Sequence, residues 1–140
     1  MGYMVYTQGE DHILSTYFTG TTFTGPFYIG LGTGPLPVIE HATLNDIVEV
    51  EGLNYSRQQV QRSSNPYGWS IVDGTAQAAQ VSWINQDLVE AWTPADYAFL
   101  TLSPTGVDDP NILIAAVDLN DTVVLQPDRK MRIIFKFSQL

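Results

Sequence analysis

The sequence contains no cysteine, so it has no disulfide framework, no thiolate nucleophile and no Cys-ligated metal. Charge is scarce as well: 15% of the 140 residues are Asp, Glu, Lys or Arg, against about 25% in an average globular chain. Bases are the rarest class, six against fifteen acids, for a net charge of −9. Proteins that hold phosphate backbones or anionic membrane surfaces by charge carry an excess of bases, so nucleic-acid and membrane partners are both disfavoured. No apolar run approaches the ~18 residues of a membrane-spanning helix. Met1 to Tyr6 lead directly to Gln8, Glu10 and Asp11, without the cationic start or apolar stretch of a secretory leader. These features predict synthesis and folding in a cytoplasm. The remainder is 44% apolar and 11% aromatic, which excludes disorder and allows a chain of this length to bury a core.

The apolar residues follow two periods. Ile13, Leu14, Tyr17 and Phe18 form one stripe at helical spacing, with Glu10 and Asp11 ahead of them, and Gly20 marks a stop. A helix is therefore predicted between Gly9 and Gly20. Elsewhere the pattern is that of strands. Phe27 to Gly32 has large apolar residues at every odd position, and Ala79, Val81 and Trp83 alternate with Gln80 and Ser82. Strands are also predicted over Tyr55–Arg62, Tyr97–Leu102, Ile112–Val117, Val123–Leu125 and Met131–Phe137. Turns are expected at Asp73-Gly74, Ser103–Gly106, Asp108-Asp109-Pro110 and Asn120-Asp121. Thr43-Leu44-Asn45-Asp46 reads as a capping box opening a short helical turn through Ile47 and Val48. About eight strands with one leading helix make a mainly β fold, a single-domain antiparallel β-sandwich or barrel over residues 1–140.

The few charges are segmented. Residues 1–56 hold six acids and no Lys or Arg, then come Arg57 and Arg62. Residues 63–128 hold nine acids and no base, and Arg129, Lys130, Arg132 and Lys136 follow. One reading is that two strands carry cations paired with acids on their neighbours, which contributes little to stability. The other is an acidic body with a basic patch that self-associates or docks on an oppositely charged partner. The two cationic strands would form a single patch if they paired.

Motifs for chemistry are absent or incomplete. Gly30-x-Gly32-x-Gly34 lacks the spacing and the following helix of a dinucleotide loop, since Pro35 and Pro37 intervene. It reads instead as a strand end that needs close backbone approach or positive φ. His12 and His41 share no metal-ligand spacing and read as surface or packing residues. Asp118-x-Asn120-Asp121 lacks the glycine and the closing glutamate of a calcium loop, and reads as a turn with Asx hydrogen bonds. No GxSxG is present. The expectation is a protein that is not an enzyme, with no catalytic, cofactor or metal residues. Among the tryptophans, Trp83 is expected in the core by alternation, whereas Trp69 lies where it could face solvent or a partner. For Trp92, between Glu90 and Pro94, core packing and interface contact stand level.

The order of segments carries a resemblance. A helix leads into "TGTTFTGPFYIGLGTGP". "ATLNDIVEVEGLNYSRQQV" and "AQVSWI" follow, then "YAFLTL", "ILIAAVDL" and a closing "RKMRIIFKF". The most specific element is Gly-x-x-Tyr-x-Arg after the acidic turn, here Gly52, Tyr55 and Arg57. From about His12 to Phe137 the chain resembles small β-rich virion proteins of tailed bacteriophages, the capsid decoration (cement) and tail-fibre-like proteins. The resemblance implies a structural protein on the outside of the phage particle, assembled in the host cytoplasm. Its partner would be the major capsid protein or another virion protein, and symmetric sites imply a dimer or trimer. Under that reading Arg57, Arg62, Arg129, Lys130, Arg132 and Lys136, with Trp69 and Trp92, are the candidate contact residues. A tail-fibre or adhesin-like domain that binds host glycan is the alternative.

Overall fold

The structure, a computed structural model, describes residues 3–21, 23, 25–64, 66–107 and 111–138. Strand β1 (Tyr3–Val5) leads into helix α1 (Thr7–Phe18) and strand β2 (Phe27–Gly32). A 3-10 turn at Leu44–Asp46 precedes β3 (Gln58–Val60), the hairpin of β4 (Trp69–Val72) and β5 (Thr75–Ala78), and β6 (Val81–Ile84). The chain closes with β7 (Ala95–Thr101), β8 (Leu113–Val123), β9 (Lys130–Ile133) and β10 (Lys136–Ser138). All strand pairings are antiparallel. They build a five-stranded sheet, β1-β8-β7-β2-β3, a three-stranded sheet, β10-β5-β4, and the ribbon β6-β9. The fold is the expected mainly β sandwich with a short N-terminal helix.

One face of the five-stranded sheet supplies Ile29, Leu31, Val60, Leu100 and Ile114 to the main core. Ala78, Val81 and Trp83 meet them from the two smaller sheets, and Phe135 from the link between β9 and β10. The opposite face buries Tyr97, Phe99 and Leu113 under Tyr6, Ala42 and Leu44. Alternation along β7 divides its residues between the two faces, as a strand buried on both sides requires.

The glycines of β2 have a steric cause. Gly30 stands opposite Phe99 and Gly32 opposite Tyr97. A Cβ on either would lie 2.3 Å or 2.0 Å from the facing ring. The strand is therefore a bed for two aromatic rings, an arrangement known to compensate glycine in sheets. Gly34 has φ +86 and donates its N–H to Asp96 Oδ2 at 2.6 Å. The capping box forms as expected, with Thr43 N–H donating to Asp46 Oδ2, but the 3-10 turn ends before Ile47. Asp73 and Gly74 both take positive φ in the β4–β5 hairpin.

Four expectations are corrected. Only Gln58–Val60 of the predicted Tyr55–Arg62 strand joins a sheet. The predicted strands at Ile112–Val117 and Val123–Leu125 are not separated by a turn: β8 runs through, with Asn120 absorbing a φ of 74 inside it and donating its N–H to Asp118 Oδ1. The closing strand divides at Ile134–Phe135, and its halves join different sheets. Finally, the apolar stripe of α1 is largely uncovered, with Leu14 49%, Tyr17 80% and Phe18 73% exposed. Its contact with the sheet is made early, at Gly9, where a Cβ would lie 2.5 Å from the Ile114 carbonyl oxygen. The expected turn at Asp108-Asp109-Pro110 lies outside the described residues.

Candidate functional site

The two cationic segments do not pair. β3 pairs with β2, β9 with β6 and β10 with β5. The six bases therefore fall into three different environments.

Arg57 is structural. Its side chain is 4% exposed and grips Glu49, with Nε donating to Oε2 at 3.0 Å and Nη2 to Oε1 at 2.9 Å. Nη1 donates to the Ser103 carbonyl and Nη2 also to that of Gly106. The Tyr55 hydroxyl donates to Glu49 Oε2 at 2.7 Å and accepts from Leu31 N–H. Burial, then the Glu49 charge, push the Tyr55 phenol far up from its ordinary value. Gly52 lies against the Trp92 ring, where a Cβ would come within 2.0 Å of it. The Gly-x-x-Tyr-x-Arg segment is thus a clamp that fixes the 49–57 loop to the sheet.

Trp92 belongs to the same region and is core, 3% exposed, with its indole N–H donating to the Leu53 carbonyl and its ring edge-on to Tyr55. Neither Arg57 nor Trp92 is available to a partner: for Arg57 this corrects its place among the candidate contact residues, and for Trp92 core packing holds over interface contact. Trp83 is core as expected, donating to the Ser56 carbonyl.

Arg129, Lys130, Arg132 and Lys136 are all exposed. Lys130 and Arg132 alternate with Met131 and Ile133, which pack on the core. Across the ladders they face no acid: Lys130 is opposite Ile84, Arg132 opposite Ser82 and Lys136 opposite Gln77. Among the described residues the only ion pair is Arg57–Glu49. Pairing with acids on neighbouring strands therefore describes Arg57 and fails for these four.

Arg62 is in the third environment, an open apolar cleft of about 500 Å³ between the two layers. Phe27, Leu100 and Ile114 of the five-stranded sheet form one wall, and Trp69, Ile71 and Phe137 of the smaller sheet another. His12, Ile13 and Tyr17 of α1 border it. The Arg62 guanidinium lies over Phe27 at 4.3 Å and Phe23 at 4.8 Å from the ring centroids, and Nε donates to the Gly25 carbonyl. Trp69 meets Phe27 edge-on at 5.3 Å, and His12 meets Phe23 edge-on at 5.5 Å. Burial, and then Arg62, hold the His12 imidazole below its ordinary value.

No protein-family model matches the chain, and no curated protein matches it. Among the described residues no helix is long and apolar enough to cross a membrane. Sequence reasoning singled out Arg62 and Trp69 separately but missed the cleft that unites them with His12. Only the long spacing between Phe23, Phe27, Arg62 and Trp69 carries that information, and nothing local marks it.

Proposed function

We propose that this chain is a virion structural protein, a capsid decoration protein that binds the outside of an assembled phage head and reinforces it. The observation carrying this reading is the run of exposed bases Arg129, Lys130, Arg132 and Lys136, without an acidic partner among the described residues, in a chain of net charge −9. Such a run complements an acidic shell surface, and repetition over a lattice turns modest single-site affinity into firm attachment. The uncovered Tyr17 and Phe18 support it, since an apolar side chain gains about 1.5–3 kcal/mol when an interface buries it. The segment order from His12 to Phe137, which resembles such proteins, supplies the particle itself. A role of this kind needs no catalytic group.

The test is co-sedimentation of the purified chain with mature heads of the parent phage at low and high salt. Binding is expected to weaken with salt and to be lost in the Arg132→Glu/Lys136→Glu double variant. Binding that ignores both salt and charge reversal would sink the assignment. The alternative, a glycan-binding tail-fibre domain, loses Trp92 as an anchor but keeps Trp69, which lines an open cleft. Retention on a host-sugar array that Trp69→Ala abolishes would favour it.

A further inference from the structure

Among the described residues, three side-chain nitrogens are buried without a hydrogen-bond partner: His12 Nε2, Arg62 Nη2 and Trp69 Nε1. All three belong to residues lining the one cleft between α1 and the two layers. Buried polar groups in native proteins are almost always satisfied, and each orphan costs about 1–3 kcal/mol. The rest of the molecule obeys that rule closely. Fully buried Asn85 donates to the carbonyls of Glu90 and Leu125 and accepts from Asp87 N–H. Arg57 makes its four hydrogen bonds within the chain.

The charge of the lining points the same way. Fifteen acids populate the sequence, yet among the described residues none lines this cleft, and Arg62 is the charged residue that does. Aromatic rings fix the three groups in place. Phe23 and Phe27 underlie the guanidinium, Phe27 braces Trp69, and Phe23 braces His12. The three nitrogens have almost no accessible surface of their own, so an acceptor reaches them by displacing the side chains over them, while the rings already hold the groups in place and limit the ordering entropy. Leu100, Ile114, Ile71 and Phe137 offer hydrocarbon, while Thr16 and Tyr17 of α1 bring the hydroxyl-bearing side chains of the lining.

We infer that the cleft binds an apolar monocarboxylate, with its hydrocarbon body against Leu100, Ile114 and Phe137 and its carboxylate held by Arg62, Trp69 and His12. One guanidinium matches one negative charge, and charge-assisted hydrogen bonds to a carboxylate are about twice as strong as neutral ones. A phosphate dianion would leave charge uncompensated among apolar walls. The volume of about 500 Å³ lies within the range of small-molecule sites. This site is independent of the exposed bases assigned to particle binding and does not rest on them.

The test uses decanoate and 1-decanol, the same chain with and without the charge, followed through the Trp69 indole N–H and Arg62 Nε–H signals in nitrogen-edited NMR. Decanoate is expected to shift both signals and to bind at least about tenfold more tightly than 1-decanol. Trp69→Phe, which keeps the ring and removes the donor, should narrow that preference while leaving 1-decanol binding in place. Arg62→Gln should abolish it, and the dispersion of its spectrum reports whether it folds. Equal affinity for the two ligands, no shift of the Trp69 indole at millimolar decanoate, or a preference undiminished in Trp69→Phe would each overturn the inference.

Discussion

Arg57 and Arg62 flank the same three-residue strand and carry the same group, yet they occupy opposite kinds of surroundings. Arg57 is enclosed, with its guanidinium bonded to Glu49, Ser103 and Gly106. Arg62 rests on two aromatic rings, has one hydrogen bond to Gly25, and leaves Nη2 without a partner beside an open cleft. A buried cation whose guanidinium makes four hydrogen bonds within its own chain is part of the architecture. One held rigidly with a donor to spare retains binding capacity. Burial alone does not separate the two cases; the distribution of acceptors does.

The sharpest way to break this contrast is Arg57→Ala. Removing one partner of a buried, bidentate pair leaves Glu49 and two carbonyls uncompensated, and about 3 kcal/mol of stability should be lost, read from the urea midpoint. Tyr55→Phe comes next. It deprives Leu31 N–H of its acceptor and Glu49 of a donor, for about 2 kcal/mol by the same measurement. Arg62→Lys should cost about 1 kcal/mol, since it gives up planar stacking and one hydrogen bond but abandons no ion pair. If Arg62→Lys proved as damaging as Arg57→Ala, the division between closed and open ends would fall.

The smallest effect is one of pH. The folded state holds His12 below its usual 6.5, so between those two values the unfolded chain binds the proton more tightly. Stability contributed by neutral His12 is complete above about pH 6.5 and declines as the pH falls toward the lowered folded value. Urea midpoints at about pH 7.5 and about pH 5.5 should show this decline, and His12→Gln should flatten it.

Much of the fold was legible because local chemistry and tertiary demand agree. The odd-position apolar residues of Phe27–Gly32, the Thr43–Asp46 box and the Asp73-Gly74 turn each act over a few residues. Met131, Ile133, Phe135 and Phe137 share one parity and read as a continuous strand, yet the chain changes sheets between them while still facing the core. Asn120 signalled a turn because Asn tolerates positive φ, and the same tolerance let β8 continue through it. The sites were less legible. Glu49 reaches Arg57 because a bridge between Gly32 and Glu49 brings its loop to the sheet, and no charge count anticipates that. The stripe on α1 has helical period whether it faces a core or solvent, so periodicity predicted the helix and misjudged its burial.

The division of the Lys130–Ser138 segment has a kinetic consequence. Both smaller sheets depend on it, β6 for its one partner strand among the described residues and the β4–β5 hairpin for its third strand. Their remaining strands leave the ribosome well before that segment does. Until it arrives, Val81 and Trp83 lack the strand that pairs with them, and the hairpin is a two-stranded ribbon, marginal in water. Completion of the sandwich is therefore deferred to the end of this stretch of synthesis, and contacts so distant in sequence close slowly. A chain of this topology folds as a whole after its late strands emerge, and a break placed between β9 and β10 would cost the β4–β5 hairpin its third strand.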